Sequence, residues 1–475
     1  MSGIFGVVSK EDCIDLLLYG TDYHSHLGTE YGGMAVYGDE IVRQIHNISQ
    51  SQFKSKFFEE SRTLKGNKGI GVISAFDEQP IYLNSSFGPF CIATNGLIEN
   101  LDELAAELFS QGISFSEVSK GPVNLTELVA KLITCGDSLV DGIEKALVRI
   151  KGSCSLLLLN KDGIYAARDK LGYNTLTVGA KDGAWAVTTE TCAFPNLGFE
   201  VKKYVGPGEI VKITEQGMET VIPAKSCSQI CSFLWIYTGF PASSYEDINV
   251  EIVRERSGRF LAARDKGLDI DVVSGIPDSG VAHALGYAME SGHPFRRPLV
   301  KYTPGYGRSY TPLLQKTRDL IATMKLVPIK EIIKGNRIVI CDDSIVRGTQ
   351  LKNFTVKKLW NSGAREVHAR IACPPLLFPC RYSLSTRTVY ELVARRAIRD
   401  IEKKDPEDIS AYINSQTPQY EKMVKWIEKD IGLTSLKFQT VYDMVKAIGL
   451  PKENICLHCW TGEGLDYCKK KENKV

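Results

Sequence analysis

Residues 337–350 read RIVICDDSIVRGTQ. Ile338, Val339 and Ile340 form an unbroken apolar run, the pattern of a strand covered on both faces. Its C-terminal end carries two adjacent carboxylates, Asp342 and Asp343. A short turn with hydroxyls and a glycine follows, and a helix is predicted from Thr349. Such a turn offers backbone N–H groups and the Ser344 and Thr349 hydroxyls, with the positive end of the helix behind them. That combination cradles a monophosphate. The paired acids suit ribose hydroxyls, with Mg²⁺ held nearby. An isolated Asp-Asp pair is commonly just a solvated strand end; the full order of strand, acid pair, turn and helix points to a site. The GxxxxGK[ST] pattern of a Walker loop is absent from this stretch.

Around this segment the pattern is alternating. IDVVSGI precedes a helix from about Ser279, PLVKYT precedes one from about Pro312, and EVHARIAC follows the helix begun at Thr349. Apolar strands alternating with helices predict a parallel, doubly wound sheet, whose ligands bind beyond the carboxyl ends of the strands. The first half differs. Short β runs (GIGVIS, FCIATNG, SLLLLN, AWAVTT, EIVKIT) stand apart from helical stretches near 98–109 and 123–134, which predicts an α+β layered sandwich ending near Pro223. The predicted domains are 1–225 and 226–475. From Glu391 the chain reads as helical and charged, and the tail KKKENKV as a solvated end.

The 475 residues allow two or three domains. A net charge of +2 argues against a broad nucleic-acid or membrane surface. Neither a transmembrane-length apolar run nor a secretory leader is visible, so a cytoplasmic protein is expected. Its thirteen cysteines are then expected to be mostly reduced, with Cys13, Cys91, Cys135, Cys154 and Cys192 as small buried hydrophobes. Cys456 and Cys459 form a CxxC in ICLHCWTG, a spacing open to zinc or an iron–sulfur cluster.

The segment DDSIVRGT resembles the phosphoribosyl pyrophosphate (PRPP) loop of type I phosphoribosyltransferases, and more closely that of the glutamine PRPP amidotransferase family. GIPDSGVAHALGYAMESGHPF resembles that family's PDSS…GYA segment, and CPPLLFPCRY its SPP…HPCFYG. YGRSYTP and RDLIATMKL resemble its catalytic loop and the stretch after it. The resemblance covers most of 230–460 and is weaker over 1–225. It implies an N-terminal nucleophile domain (an αββα sandwich) followed by an α/β type I phosphoribosyltransferase domain with a doubly wound parallel sheet. It places Ser279, Asp342 and Asp343 at Mg²⁺–PRPP. Ser344, Ile345, Val346, Arg347, Gly348 and Thr349 would hold the 5′-phosphate, and Lys325 the pyrophosphate, although by itself Lys325 reads equally as a surface lysine. Gly305 and Gly307 fit a lid that excludes water. The reaction implied is displacement of pyrophosphate at the anomeric carbon, the entry step of purine synthesis.

Many members of that family carry a structural [4Fe–4S] cluster, whose positions match Cys231, Cys380, Cys456 and Cys459. His458 is expected to be a solvent-side bystander.

The chain opens MSGIFGVVSK. Removal of Met1 would leave Ser2 where the family's glutaminase has a nucleophilic cysteine, its own α-amine acting as base. Asn95 and Gly96 match the oxyanion pair. The family's glutamine-binding arginine, in HRGQ(D/E), is Leu27 in HLGTEYGG. The aspartate that binds the glutamine ammonium is Leu125 in NLTEL. The expectation is a remnant glutaminase with Ser2 as an inactive relic, so that the nitrogen comes from ammonia, from a partner glutaminase, or weakly from glutamine. By the same resemblance a homo-oligomer (dimer or tetramer) and feedback by purine nucleotides are expected. Alternatives are a non-catalytic PRPP or nucleotide sensor, and a phosphoribosyltransferase with another acceptor.

Overall fold

The computed structural model describes residues 2–302, 326–383, 386 and 388–463. The chain forms two compact units. One comprises Met1–Cys231 with Ala242–Asp247 and Arg381–Ser385, and the other is the remainder. The two later segments join the first unit through side chains far away in sequence. Tyr245 donates from its hydroxyl to Glu190 at 2.6 Å, and Arg168 donates to Glu246 at 2.8 Å.

The first unit is a four-layer sandwich of two antiparallel sheets. The seven-stranded sheet runs Glu200–Tyr204, Thr177–Lys181, Ala184–Thr188, Gly3–Ser9, Lys68–Ser74, Tyr31–Tyr37, Ile41–Asn47. The six-stranded sheet runs Gly217–Ile222, Ile210–Thr214, Gly163–Ala167, Gly152–Asn160, Gly88–Ile98, Ile81–Ser85. The two-residue period of a strand assigns the layers. Ile4 and Val8 face the core between the sheets, against Leu157 and Leu159. Phe5 and Val7 face outward onto Leu17, Leu18 and Phe53 of the helices Ile14–Asp22 and Phe53–Ser61. Leu156 and Leu158 face the opposite outer layer, with Leu128, Val129 and Ile143 from Leu125–Thr134 and Leu139–Arg149. SLLLLN is therefore apolar throughout because its strand is covered on both faces, each buried leucine contributing about 1.5–3 kcal/mol.

The second unit holds four parallel strands in the order Val272–Gly275, Arg337–Asp342, Glu366–Ile371, Ser435–Phe438. PLVKYT is not among them. Leu299–Lys301 pairs antiparallel with Leu326–Pro328 instead, and Phe295 makes a single parallel bridge to Val273 among the described residues. Pro294 and Pro298 lack the N–H groups that continued pairing needs. The helix expected from Pro312 lies outside the described residues.

The helices Val250–Ala263 and Val281–Ser291 touch backbone to backbone. A Cβ at Gly258 would sit 1.9 Å from the His283 carbonyl oxygen, and one at Gly286 would sit 1.9 Å from that of Glu255. Gly286→Ala must push the helices apart. It is expected to cost about 1–3 kcal/mol, measured as a lower denaturant midpoint at unchanged slope.

Candidate functional site

The strand Arg337–Asp342 is buried along Ile338, Val339, Ile340 and Cys341 and brings its two acids out at the C-terminal end of the sheet. The Asp343 N–H donates to Asp342 Oδ1 at 3.0 Å, and the Ser344 hydroxyl donates to Asp343 Oδ1 at 2.6 Å. The Ser279 side chain also acts on the Asp343 carboxyl and favours its charged form, so Ser279 and the acid pair come near one another although they are distant in sequence. Both carboxyls are pushed above the ordinary range. Burial is the main cause for each, and the adjacent charge of Asp343 adds to it at Asp342. On Asp343 the side chains of Ser279 and Ser344 and the charge of Arg254 act the other way. Two like charges in this setting favour a ligand that brings hydroxyl donors or positive charge.

Gly348 closes the turn at φ +77°, a conformation that favours glycine. Ile345 is buried and Val346 half-buried, while Arg347 and Thr349 are exposed. The Arg347 guanidinium pairs with Glu391 at 2.5 Å. Lys325, Gly305 and Gly307 lie outside the described residues. Behind the 275–278 loop is a cavity of about 370 Å³, lined by Glu251, Arg254, Asp278, Phe295 and Arg297 among others.

The iron–sulfur expectation needs correction. Among the described residues, no group of three or more His, Cys, Asp or Glu side chains is arranged to hold a metal ion. That overturns the expected [4Fe–4S] cluster on Cys231, Cys380, Cys456 and Cys459. A cluster needs thiolate sulfurs converging on one small volume, whereas sequence position settles only which segments approach. The Leu377 and Phe378 N–H groups do donate to the Cys459 carbonyl, at 2.9 and 3.1 Å. Backbone apposition of that kind does not orient sulfurs. The absence of a three-ligand group among the described residues does not bear on Mg²⁺, which takes one or two carboxylates together with waters and substrate phosphates and needs no all-protein cage. Ser279, Asp342 and Asp343 come together as such a set would. His458 is buried, not solvent-side, and its ring lies 5.9 Å from that of Phe378.

Cys13, Cys91, Cys154 and Cys192 are buried. Burial pushes the Cys13, Cys91 and Cys192 thiols up to about 12, which leaves them unreactive at neutral pH. Cys135, expected to be buried, is exposed. It caps the end of Leu125–Thr134, where the helix's buried face has run out.

At the other candidate site, the Ser2 N–H donates to Asn95 Oδ1 at 3.1 Å, and the Ala75 N–H donates to Ser2 Oγ at 3.3 Å. Asn95 is steadied by Asn174, whose Nδ2 donates to its carbonyl at 3.2 Å. Gly96 lies so close to the neighbouring strand that a Cβ would be 2.0 Å from the Ser153 carbonyl oxygen. Leu27 and Leu125 are half-buried and bring no charge.

Sequence reasoning missed two buried acids here. Asp77 accepts the Leu125 N–H at 3.1 Å and the Ser119 hydroxyl at 3.1 Å. The only signal for it was an acid in the turn after GIGVIS. Glu190 faces His26 Nε2 at 2.7 Å. Burial opposes its charge, yet His26 and Tyr245 outweigh burial and hold its carboxyl below the ordinary range.

The chain is similar to known proteins over most of its length. Residues 69–196 match the family described as glutamine amidotransferase domain. The amidophosphoribosyltransferase of Methanocaldococcus jannaschii is 33% identical over 491 residues, covering 98% of this chain and 97% of that protein. The enzyme of the same name from Bacillus subtilis is 30% identical, covering 97% and 93%. The solved structure of glutamine PRPP amidotransferase from B. subtilis complexed with ADP and GMP aligns with a TM-score of 0.82 at 30% identity, over 97% of this chain and 96% of that one.

Proposed function

Because the chain belongs to the amidophosphoribosyltransferase family, and is thus an enzyme of pentosyl transfer, we propose that it displaces pyrophosphate from PRPP with ammonia. The product is 5-phosphoribosylamine, and the reaction opens de novo purine biosynthesis. The observation that carries this reading is the Asp342–Asp343 pair, joined by Ser279, at the mouth of the amide-lined turn. The turn amides and the Ser344 and Thr349 hydroxyls take the 5′-phosphate. The two carboxylates accept the ribose hydroxyls and orient the anomeric carbon toward the incoming nitrogen. As pyrophosphate departs with the bonding electron pair, positive charge grows on the ribose, and the neighbouring carboxylates stabilise it. Ammonia forms the new C–N bond and then loses a proton.

Glutamine is a poor nitrogen source in this reading. Leu27 and Leu125 remove two charge-assisted contacts worth about 1.5–3 kcal/mol each, on the order of 10²- to 10⁴-fold in recognition. The nearby cations do not replace the lost arginine, since Arg43 pairs with Glu117 and Lys120 with Glu30. Asp77 has the sign that an ammonium needs, but it is buried and its two oxygens are engaged by the Leu125 N–H and the Ser119 hydroxyl, which makes it a poor substitute for the lost aspartate. Ser2 is also a weaker nucleophile than the cysteine it replaces. Ammonia then arrives free or from a partner glutaminase, and domain 1–225 persists as a retained fold.

Purine nucleotides are proposed as feedback ligands, as the ADP and GMP bound to the B. subtilis relative imply. The cavity behind the 275–278 loop has the volume of a small-molecule site. An oligomer of this chain remains part of the proposal. Among the described residues, no helix is long and apolar enough to cross a membrane.

The test is pyrophosphate release from PRPP with ammonia and with glutamine in parallel. Ammonia-supported release is expected, with glutamine-supported release lower by about 10²- to 10⁴-fold and unchanged by Ser2→Ala. Robust glutamine turnover that disappears in Ser2→Ala would overturn the remnant reading.

A further inference from the structure

We infer that Arg396, braced by Asp430, is a positioning residue that holds the phosphate turn in its binding conformation. The inference rests on the reading of residues 344–349 as a phosphate cradle. A peptide unit is planar and trans, so its C=O and N–H point in opposite directions. Any amide that faces a phosphate therefore sends the preceding carbonyl outward, where it needs a donor. Two such carbonyls are met from the helix Val393–Glu402. The Val393 N–H donates to the Val346 carbonyl at 2.8 Å, and Arg396 Nη2 donates to the Arg347 carbonyl at 3.3 Å. Val393 is the first residue of its helix, and its N–H has no acceptor within the helix. These two bonds fix the orientation of the Arg347 and Gly348 amides.

The second bond matters more, because it restrains the peptide entering Gly348. That glycine has no Cβ to resist rotation, and it already stands at positive φ. Arg396 is in turn held at 3.6 Å by Asp430, on the helix Pro418–Ile431. The other oxygen of Asp430 takes Lys352 Nζ at 2.9 Å. Lys352 begins the far side of the same turn, its N–H donating to the Gly348 carbonyl at 2.9 Å. One carboxylate thus ties the donor that caps the turn to the residue that follows it. None of these groups needs to touch the ligand. Their effect is to remove the alternative orientations of a glycine peptide before the phosphate arrives, which reduces the ordering cost of binding.

The experiment measures PRPP binding by calorimetry and steady-state ammonia-dependent turnover on the full chain, with a thermal melt for each variant. Arg396→Ala is expected to raise the KM for PRPP about tenfold, with kcat changed less than twofold and an unchanged melt. Arg396→Lys should recover part of the loss, since an ammonium can still reach a carbonyl. Asp430→Asn should raise KM in the same direction, and the double variant should be no worse than the more affected single one, as for residues acting in series. Lys403→Ala, on an exposed residue just past the same helix, should change nothing.

If wild-type protein binds PRPP and Arg396→Ala binds it equally well, the positioning role is wrong while the phosphate-site reading stands. A fall in kcat at constant KM also rejects the role. If wild-type protein binds no PRPP, both fall. Should Arg396→Ala fail to fold, Arg396→Lys and Asp430→Asn decide the matter by the same KM criterion.

Discussion

Replacing Asp342 and Asp343 together with asparagine is expected to lower ammonia-dependent PRPP turnover by about 10²- to 10⁴-fold and to make the ligand-free protein more heat-stable. The first effect follows from the role of the pair. In the proposed reaction each carboxylate accepts ribose hydroxyls and faces the positive charge that develops as pyrophosphate leaves, and a neutral amide does this poorly. The second follows from the position of the pair in the fold. Both carboxyls are raised above their ordinary values, burial being the main cause for each and the charge of Asp343 a further one at Asp342. The folded state therefore binds protons that the unfolded state has released. Stability is lost as pH rises from about 4, the ordinary carboxylate value, through the raised folded values. At neutral pH the wild-type protein carries this penalty in full, and the asparagines remove it. Melting temperature followed from pH 4 to pH 8 should fall in wild type and stay flatter in the variant. Intact turnover in a folded variant would refute the assigned site, and a lower melting temperature would refute the electrostatic argument.

Asp265→Asn should act through stability alone, with a loss of about 3–5 kcal/mol. Asp265 is buried beneath the parallel sheet and pairs with Arg370, which is 1% exposed. It also takes Lys437 Nζ at 2.6 Å and the Tyr287 hydroxyl at 2.8 Å. Removing its charge leaves the Arg370 guanidinium buried without a counter-charge. Burial alone would raise the Asp265 carboxyl, but Arg370, Lys437 and Tyr287 together outweigh it and the carboxyl lies below its ordinary value. The sign is thus opposite to that of the acid pair. The contribution of Asp265 is present above about pH 4 and is lost as pH falls through the lower folded value. Denaturant melts at pH 7 and pH 3.5 should show the variant's deficit shrinking at the lower pH. The double variant Asp265→Asn/Arg370→Met should recover much of the loss, because no lone charge remains. A deficit below 1 kcal/mol at pH 7, or one that grows in acid, would contradict this account.

Much of the site was legible because it is contiguous. The strand, the acid pair and the turn of 337–349 follow one another within a few residues, so covalent connectivity alone brings the carboxylates beside the turn amides. Layering in the first unit was legible for a similar reason. The β runs and helical stretches of 1–225 announce separate strand and helix layers, and the strand period then distributes Leu156 to Leu159 over two cores. PLVKYT misled because its apolar residues resemble a sheet strand, although Pro298 at its head and Pro294 just before it lack the N–H groups that pairing needs.

The layering of the first unit, the strand–acid pair–turn order of 337–349 and the leucines at 27 and 125 were determined by the amino-acid sequence alone, since each depends on residue type at one place or on near neighbours. Only the tertiary structure decided that Arg396 reaches the carbonyl before Gly348, that Asp265 meets Arg370, that Ala242–Asp247 joins the first unit, and that the expected cysteines form no ligand set among the described residues. Each of these requires side chains remote in sequence to meet within a few ångströms. Where a side chain points once its segment is packed depends on every neighbour in the core, and no local pattern encodes that.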